Sequence, residues 1–399
     1  MGRSFRTIGF LSALVMLAAA HVATAANNPK PPKDPCKHAS VLYVDDDGSP
    51  GGVGTVHAPV PTIAGALALA SENNFCAVEL VVSSGVYSEA LSIDRTTTIR
   101  GAGNADVAVG NTISNIEGNF LTLQNLAILD APGTGIRVAR GLLKMVGVEV
   151  RGTRVAKGQN AVATGIGLSV EDGAQAVVFL STFAQNQSQA IRVSGKGSKL
   201  WLTLSVINNT EVNPNLVDPI TGLVHNEYVG ALQALDSAEI HGRQVVMSDN
   251  AFSAVHVLNH ARAHLSDLTV TGTTEYRAPT SSIYGGTNIA AREGGTIDLR
   301  RPHTRNADLA GMMNERAYLR SDGGDTSRNL IGLGLIGPFP AGETPIECAA
   351  ELGTRSIDNE VPLSASGVLF SPPCLRGSSD CVPMSCVEVP LEPLPDWSR

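Results

Sequence analysis

Six short segments of this 399-residue chain repeat one pattern in register: GIRVARG (135–141), GIGLSVEDG (165–173), AIRVSGKG (190–197), ALQALDSA (231–238), AVHVLNHA (254–261) and NIAAREGG (288–295). Aligned on Ile136, Ile166, Ile191, Leu232, Val255 and Ile289, they stand 30, 25, 41, 23 and 34 residues apart. The 23-residue step reads as one coil, and the longer steps read as that coil with insertions. A unit of this size, reiterated, is the signature of a solenoid. Alternating apolar residues make its segments strands.

Each unit has the same internal grammar. A Gly or small residue opens it, as in Gly173-Ala174, Gly197-Ser198 and Gly294-Gly295. A strand follows, such as Ala176–Leu180 or Leu200–Leu204, then a short bend with an Asn, then the recurring segment. Asn186, Asn209 and Asn250 sit at matching places, where Asn suits a left-handed turn residue. Such a coil cannot bury its apolar side chains alone, whereas stacked coils close a continuous core and pair every backbone group between them. The fold expected is all-β: a single-stranded, right-handed parallel β-helix. A sandwich or barrel of short strands is the rival, but it does not keep a 23-residue phase over six units. Aromatics are only 4% and glycines number 41, which suits a narrow interior filled by Val, Ile, Leu and Ala.

The ends carry different information. Arg3 and Arg6, the apolar stretch Ile8–Ala20 and the Ala23-Thr24-Ala25 site read as a cleaved secretory signal over residues 1–25. Residues 26–40 form a Pro/Lys-rich leader, 41–335 the β-helix domain, and 336–399 a Cys/Pro-rich C-terminal cap or tail. No second apolar run is long enough to cross a bilayer. The six cysteines fit export: Cys36 and Cys76 flank the start of the solenoid, while Cys348, Cys374, Cys381 and Cys386 follow its end. Open solenoid ends need covering, and disulfides there do it. Cys36 is expected to pair with Cys76; the other four allow three connectivities. The formal net charge of −8 disfavours nucleic acid and membrane surfaces as partners. The expected product is a secreted monomer, extracellular or periplasmic.

Pro61-Thr62 opens an amphipathic helix with Ile63, Ala66, Leu67 and Ala70 on one face, expected as a short N-terminal cap on the first coil. The run YVDDDGS (43–49), PTIAGALALA (61–70), GVYSEALSI (85–93) and TTIRGAG (97–103) resembles the start of many secreted bacterial proteins of the pectin-lyase-like superfamily. The resemblance covers roughly residues 41–335 and implies the right-handed β-helix. It implies little about activity, because that superfamily holds lyases, glycosidases, esterases, epimerases and non-catalytic adhesins.

Of that superfamily's catalytic patterns, the paired acids of polygalacturonases and the DPHD of alginate epimerases have no counterpart here. Gly85-x-Tyr87-x-Glu89 resembles a pectin methylesterase pattern, and without that family's catalytic segments it reads as a fold element. Arg300-x-Pro302-x-x-Arg305 matches the RxPxxR pattern of one pectate-lyase family, which makes Arg300 and Arg305 catalytic candidates beside Lys157. The residues after the phase positions form an outward row: Arg137, Gly167, Arg192, Gln233, His256 and Ala290. Stacked coils would place them about 4.8 Å apart. The long steps put their extra residues in one turn, loops 152–164, 210–229 and 273–287, forming a wall beside that row. The wall holds Arg154, Lys157, His225, Glu227, Tyr228, Glu275, Tyr276, Arg277 and Tyr284.

His241 and His264, one coil apart, should stack near Asp267. Asp45, Asp46 and Asp47 with Gly48 are the metal candidates, with Ca²⁺ the fitting ion; the reading requires no cofactor. The leading expectation is a secreted β-helix that binds extracellular or cell-envelope polysaccharide through Arg137, Arg192, Gln233, His256, Tyr228, Tyr276 and Arg277, without a catalytic set. The alternatives are a lyase or other carbohydrate-active enzyme acting on an acidic (uronate) polymer, and a structural surface or matrix protein.

Overall fold

The computed structural model describes residues 39–102, 107–156, 164–213, 230–277, 283–315, 317–329, 331–336, 355–357, 359 and 361–366. The signal segment, Lys157, Tyr228 and five of the cysteines, Cys36, Cys348, Cys374, Cys381 and Cys386, lie outside them. Cys76 lies within, and its thiol is not free; Cys36, its expected partner, is outside the described residues.

Among the described residues the chain winds through three parallel sheets of eleven strands each. Every regular coil gives one strand to each sheet in fixed order. In one coil Leu142–Val146 lies in sheet I, Glu149–Arg151 in sheet II and Ile166–Glu171 in sheet III. The next coil lays Gln175–Phe179, Thr182–Ala184 and Gln189–Ser194 parallel against them. Ile191 and Val255 share sheet III with Leu232 between them. This is a parallel β-helix, and the sandwich is excluded. The sheets begin at Ala39, and their last described strands are Arg355–Ile357 and Val361–Ser366, inside the stretch read from sequence as cap or tail.

The core is made of ladders, each position repeated coil after coil. Sheet III contributes Ile113, Ile136, Leu168, Ile191, Leu232, Val255, Ile289 and Met312, all fully buried. Sheet II contributes Ile128, Val150, Phe183, Ile207, Met247 and Val270. Each such side chain stabilises the fold by about 1.5–3 kcal/mol. In sheet I the ladder passes through Leu202, Gly242 and Leu265. Gly242 leaves the room that Leu265 fills, since a Cβ there would lie 2.6 Å from Leu265 Cδ2.

The register corrects the sequence alignment at one unit. Ile136 faces Leu168, and Ile166 faces Thr134 and Gln189. A slip of two residues keeps every side chain on its proper face, so alternation alone cannot detect it. In the true register, coils of 23 residues (Ile113 to Ile136, Leu168 to Ile191, Leu232 to Val255, Ile289 to Met312) alternate with longer ones.

The bend between sheets II and III corrects a second reading. Its left-handed residues are Gln185 (φ 54°), Asn209 (φ 51°), Asp249 (φ 53°) and Gly272 (φ 72°). Asn186 and Asn250 sit one place later, are fully buried, and share their column with Thr210. They act through their side chains. Asn186 Oδ1 accepts the Thr153 N–H (3.3 Å) and hydroxyl (2.8 Å), and Asn250 Oδ1 accepts the Thr210 N–H (3.2 Å). Their amides donate to the carbonyls of Val150 and Ile207, both at 3.3 Å. Buried amides thus pair backbone that the bend removes from the ladders. Thr153, Thr210 and Thr273 mark the coils with insertions, while Asn186 and Asn250 mark the 23-residue coils between them.

The first coil is covered by α1 (Ile63–Glu72), whose buried face is Ile63, Ala66, Leu67 and Ala70, as the sequence implies. Thr62 caps it, its Oγ1 accepting from Gly65 N–H at 2.9 Å. Glu89, from the GVYSE motif, reaches back to accept the N–H groups of Ile63 (2.6 Å) and Ala64 (3.0 Å). A carboxylate at a helix N-terminus satisfies orphan donors and the helix dipole together. That motif is a fold element.

Candidate functional site

The outer face of sheet III was expected to be the binding floor. Its true row is Arg137, Ser169, Arg192, Gln233, His256 and Ala290. Ser169 replaces Gly167 because of the two-residue slip. Arg137 is exposed and paired with Glu171. The middle of the row is not a solvated surface. Gln233 is 0% and His256 1% exposed, and Ser169 and Ala290 are buried as well. Gln189 Nε2 donates to Gln233 Oε1, and Gln233 Nε2 lies 3.3 Å from His256 Nδ1. Gly230, at φ 100°, packs so closely that a Cβ would sit 2.7 Å from His256 Cβ. Gln233 and His256 therefore belong to a covered polar network, not to a floor. An outward parity says which way a side chain leaves the sheet, not whether water is there.

The three insertions do fall in one turn, between sheets II and III, on alternate coils. The third contains an antiparallel hairpin, Glu275–Arg277 with Ile283–Gly285, which pairs Tyr276 with Tyr284 along its backbone. Much of the other two insertions, including Lys157 and Tyr228, lies outside the described residues. Arg154 is paired with Glu211 at 3.1 Å.

Arg300 and Arg305 end strands of different sheets, Thr296–Arg300 in sheet I and His303–Arg305 in sheet II, with buried Pro302 at the bend. The spacing of the motif thus spans a corner of the coil. Asp45, Asp46 and Asp47 form the one group of three or more His/Cys/Asp/Glu among the described residues whose ligand atoms all lie within 4.8 Å of each other. Two of these carboxylates already serve the fold. Asp45 Oδ1 accepts the Asp47 N–H, and Asp46 Oδ2 accepts the Val86 N–H, each at 3.2 Å. Burial, with Asp46 adding its charge, pushes the nearby Tyr87 phenol up to about 12.

The outer face of sheet I carries a different arrangement. One outward column runs Trp201, His241, His264, Asp298, Arg320. The three rings stack along the helix axis. Trp201 and His241 have centroids 5.9 Å apart at 10°, and His241 and His264 are 5.3 Å apart at 19°. The expected stacking of the two histidines is therefore present, but Asp267 is not their partner. Asp298 takes that place, with Oδ2 3.0 Å from His264 Nδ1, while Asp267 pairs with Arg301 at 2.7 Å. Asp298 lies directly in register with His264, whereas Asp267 has passed into the next bend.

Glu239 completes the cluster. It lies 2.6 Å from His241 Nε2 and 2.7 Å from Lys199 Nζ. The His241 hydrogen bond and then Lys199 hold its carboxyl down at about 2, against the opposing effect of burial. The columns on either side supply Arg262, Arg243 and Arg300, all exposed. Together with Arg320, these arginines make no ion pair among the described residues. Elsewhere Arg95, Arg100, Arg137, Arg151, Arg154, Arg292 and Arg301 are paired, while exposed Arg140, Arg305 and Arg328 also make no ion pair among the described residues. Period and parity could have found this column, since Trp201, His241, His264 and Asp298 all sit at the centre of an alternating strand.

No protein-family model matches the chain, and no curated protein matches it. Among solved structures it is similar to pectate lyase Pel9A, at 11% identity over 84% of this chain and 80% of that one, with a TM-score of 0.50. It is also similar to a rhamnogalacturonan lyase, at 8% identity over 82% and 87% of the chains with a TM-score of 0.33. A GH136 lacto-N-biosidase from Eubacterium ramulus matches at 11% identity over 82% and 68%, with a TM-score of 0.33. Three parallel sheets and the likeness to Pel9A define the class: the chain has a right-handed parallel β-helix fold. No helix among the described residues is long and apolar enough to cross a membrane.

Proposed function

We propose that this is a secreted β-helix protein that binds an acidic polysaccharide along the outer face of sheet I. One observation carries the reading: four arginines without ion-pair partners among the described residues bracket a polar, ring-bearing strip on the outer face of sheet I in an otherwise acidic protein. Unpaired cations concentrated against the sign of the whole molecule are an electrostatic footprint for an anionic partner. The edges of Trp201 and the imidazoles offer apolar surface and hydrogen bonding to a sugar ring between those charges. Secretion is supported by the N-terminal sequence.

The test is binding of the mature protein to polygalacturonate, alginate and a neutral glucan by calorimetry or affinity electrophoresis. Salt-sensitive binding to the uronate polymers, lost when Arg243, Arg262, Arg300 and Arg320 are replaced by Ala, is the expected result. Equal retention by all glycans, or none by any, overturns it.

A second reading, cleavage of the same polymer, is favoured by the His264–Asp298 pair. A carboxylate on Nδ1 orients the ring and leaves Nε2 to act as a base. In β-elimination that nitrogen would take the proton α to the uronate carboxyl group. The electron pair would form the C=C bond as the glycosidic C–O bond breaks, and the leaving oxygen would take a proton from water. Ultraviolet absorbance of unsaturated product, abolished in His264→Ala, would establish it; bound polymer without product leaves a binding protein.

A further inference from the structure

The stacked column on sheet I contains two imidazoles in unequal positions. His241 has Nε2 against Glu239 and a buried Nδ1 with no partner. His264 is placed the other way round. Its Nδ1 lies 3.0 Å from Asp298 Oδ2, and its Nε2 is neither buried nor hydrogen-bonded among the described residues. One ring face lies against His241, so the ring direction is set by the stack and by Asp298 together.

We propose, resting on the acidic-polysaccharide reading above, that His264 makes this face pH-responsive: its protonation turns an outward lone pair into a cationic donor at the centre of the arginine-bracketed strip. A neutral ring whose proton is on the Asp298 side presents only an acceptor at Nε2, which a carboxylate or sulfate cannot use. The protonated ring presents an N–H and a charge, and both favour an anionic polymer.

The charged groups around the ring are Arg262, from the neighbouring column on the same strand, Arg320, in register beyond Asp298, and Asp298 itself. On the coil before, Glu239 is already shared between His241 and Lys199. Arg243 and Arg300 flank the far side, where Asp322 is the nearest carboxylate in register. Imidazole is the one side chain here whose ordinary titration falls between acid and neutral conditions.

The full mature chain is tested with dextran sulfate, whose charge does not change with pH, and with neutral dextran. Binding is measured at about pH 5.5 and about pH 8, on either side of the imidazole range. Wild type should bind dextran sulfate about threefold tighter at the lower pH, the effect of roughly one added surface charge. His264→Gln should remove that ratio. His264→Arg, with its charge fixed, should bind tightly at both values. His303→Gln, which alters the exposed His303–Asp325 pair on sheet II, should keep the wild-type ratio. Melting curves establish that each variant is folded, and His264→Arg supplies an independent gain of binding at the higher pH if His264→Gln does not fold. Binding whose pH ratio survives in His264→Gln overturns the inference and leaves the site intact. No binding of dextran sulfate at either pH overturns the site reading itself.

Discussion

The outer faces of sheets I and III are built by the same rule and end in opposite states. Both alternate inward apolar residues with outward polar ones, and both line those outward residues up in columns. On sheet III the central column is covered: Gln233 and His256 are buried and bonded to each other, with Gln189 joining. On sheet I the column of Trp201, His241, His264 and Asp298 is only partly buried and is flanked by exposed arginines. The difference shows that a polar residue pointing out of a β-helix is not thereby a surface residue. Whether it meets water depends on what lies over the sheet, and that is a tertiary matter.

Substitutions on the two faces should therefore fail in different currencies. The largest effect is expected at Gly230. Valine there must hold φ near 100° and clash with His256, so Gly230→Val should cost about 3 kcal/mol in urea unfolding. Arg262→Ala on sheet I should stay within about 0.5 kcal/mol in the same experiment. Equal costs would erase the contrast between the two faces. Next is binding. Replacing Arg243, Arg262, Arg300 and Arg320 together should weaken a uronate polymer about 100-fold at low salt, from roughly 0.7 kcal/mol for each surface charge. Arg137→Ala on sheet III, which breaks the Glu171 pair, should leave that affinity unchanged.

Smaller effects sharpen the picture. Glu239 has its carboxyl lowered from 4.5 to about 2 in the folded protein. A lowered carboxyl stabilises the fold above its unfolded value and loses that contribution as pH falls through the folded one. Wild type should therefore lose about 1 kcal/mol more than Glu239→Gln between those two values, after allowing for solvent screening. A parallel decline of both proteins would show that Glu239 takes no part. Glu89→Gln should lower stability by about 0.5–1 kcal/mol through loss of the charge at the α1 N-terminus. Differential hydrogen exchange confined to the first coil would localise it.

Much of this molecule is legible without coordinates, and the errors are instructive. The 23-residue phase places Ile191, Leu232 and Val255 in one ladder, and they are. Helix α1 buries the four residues its periodicity names. The slip at Ile166 kept the correct face and missed the correct neighbour, because a period of two cannot distinguish Ile166 from Leu168. The bend asparagines were misplaced for a related reason. Asn209 is the left-handed residue, whereas Asn186 and Asn250 serve through buried amides one position later. A shared residue type hid two different roles. The stack of His241 on His264 followed from their one-coil separation, but the choice of Asp298 over Asp267 needed the register.

By itself the sequence determined the architecture, because a constant increment between alternating apolar segments has one way to bury them all, coil upon coil. It also determined which residues leave each sheet outward. Only the tertiary structure decided which outward residues remain in water, which arginines form ion pairs, and which acid stands beside His264. Those depend on contacts between residues more than twenty positions apart, and no local pattern records them.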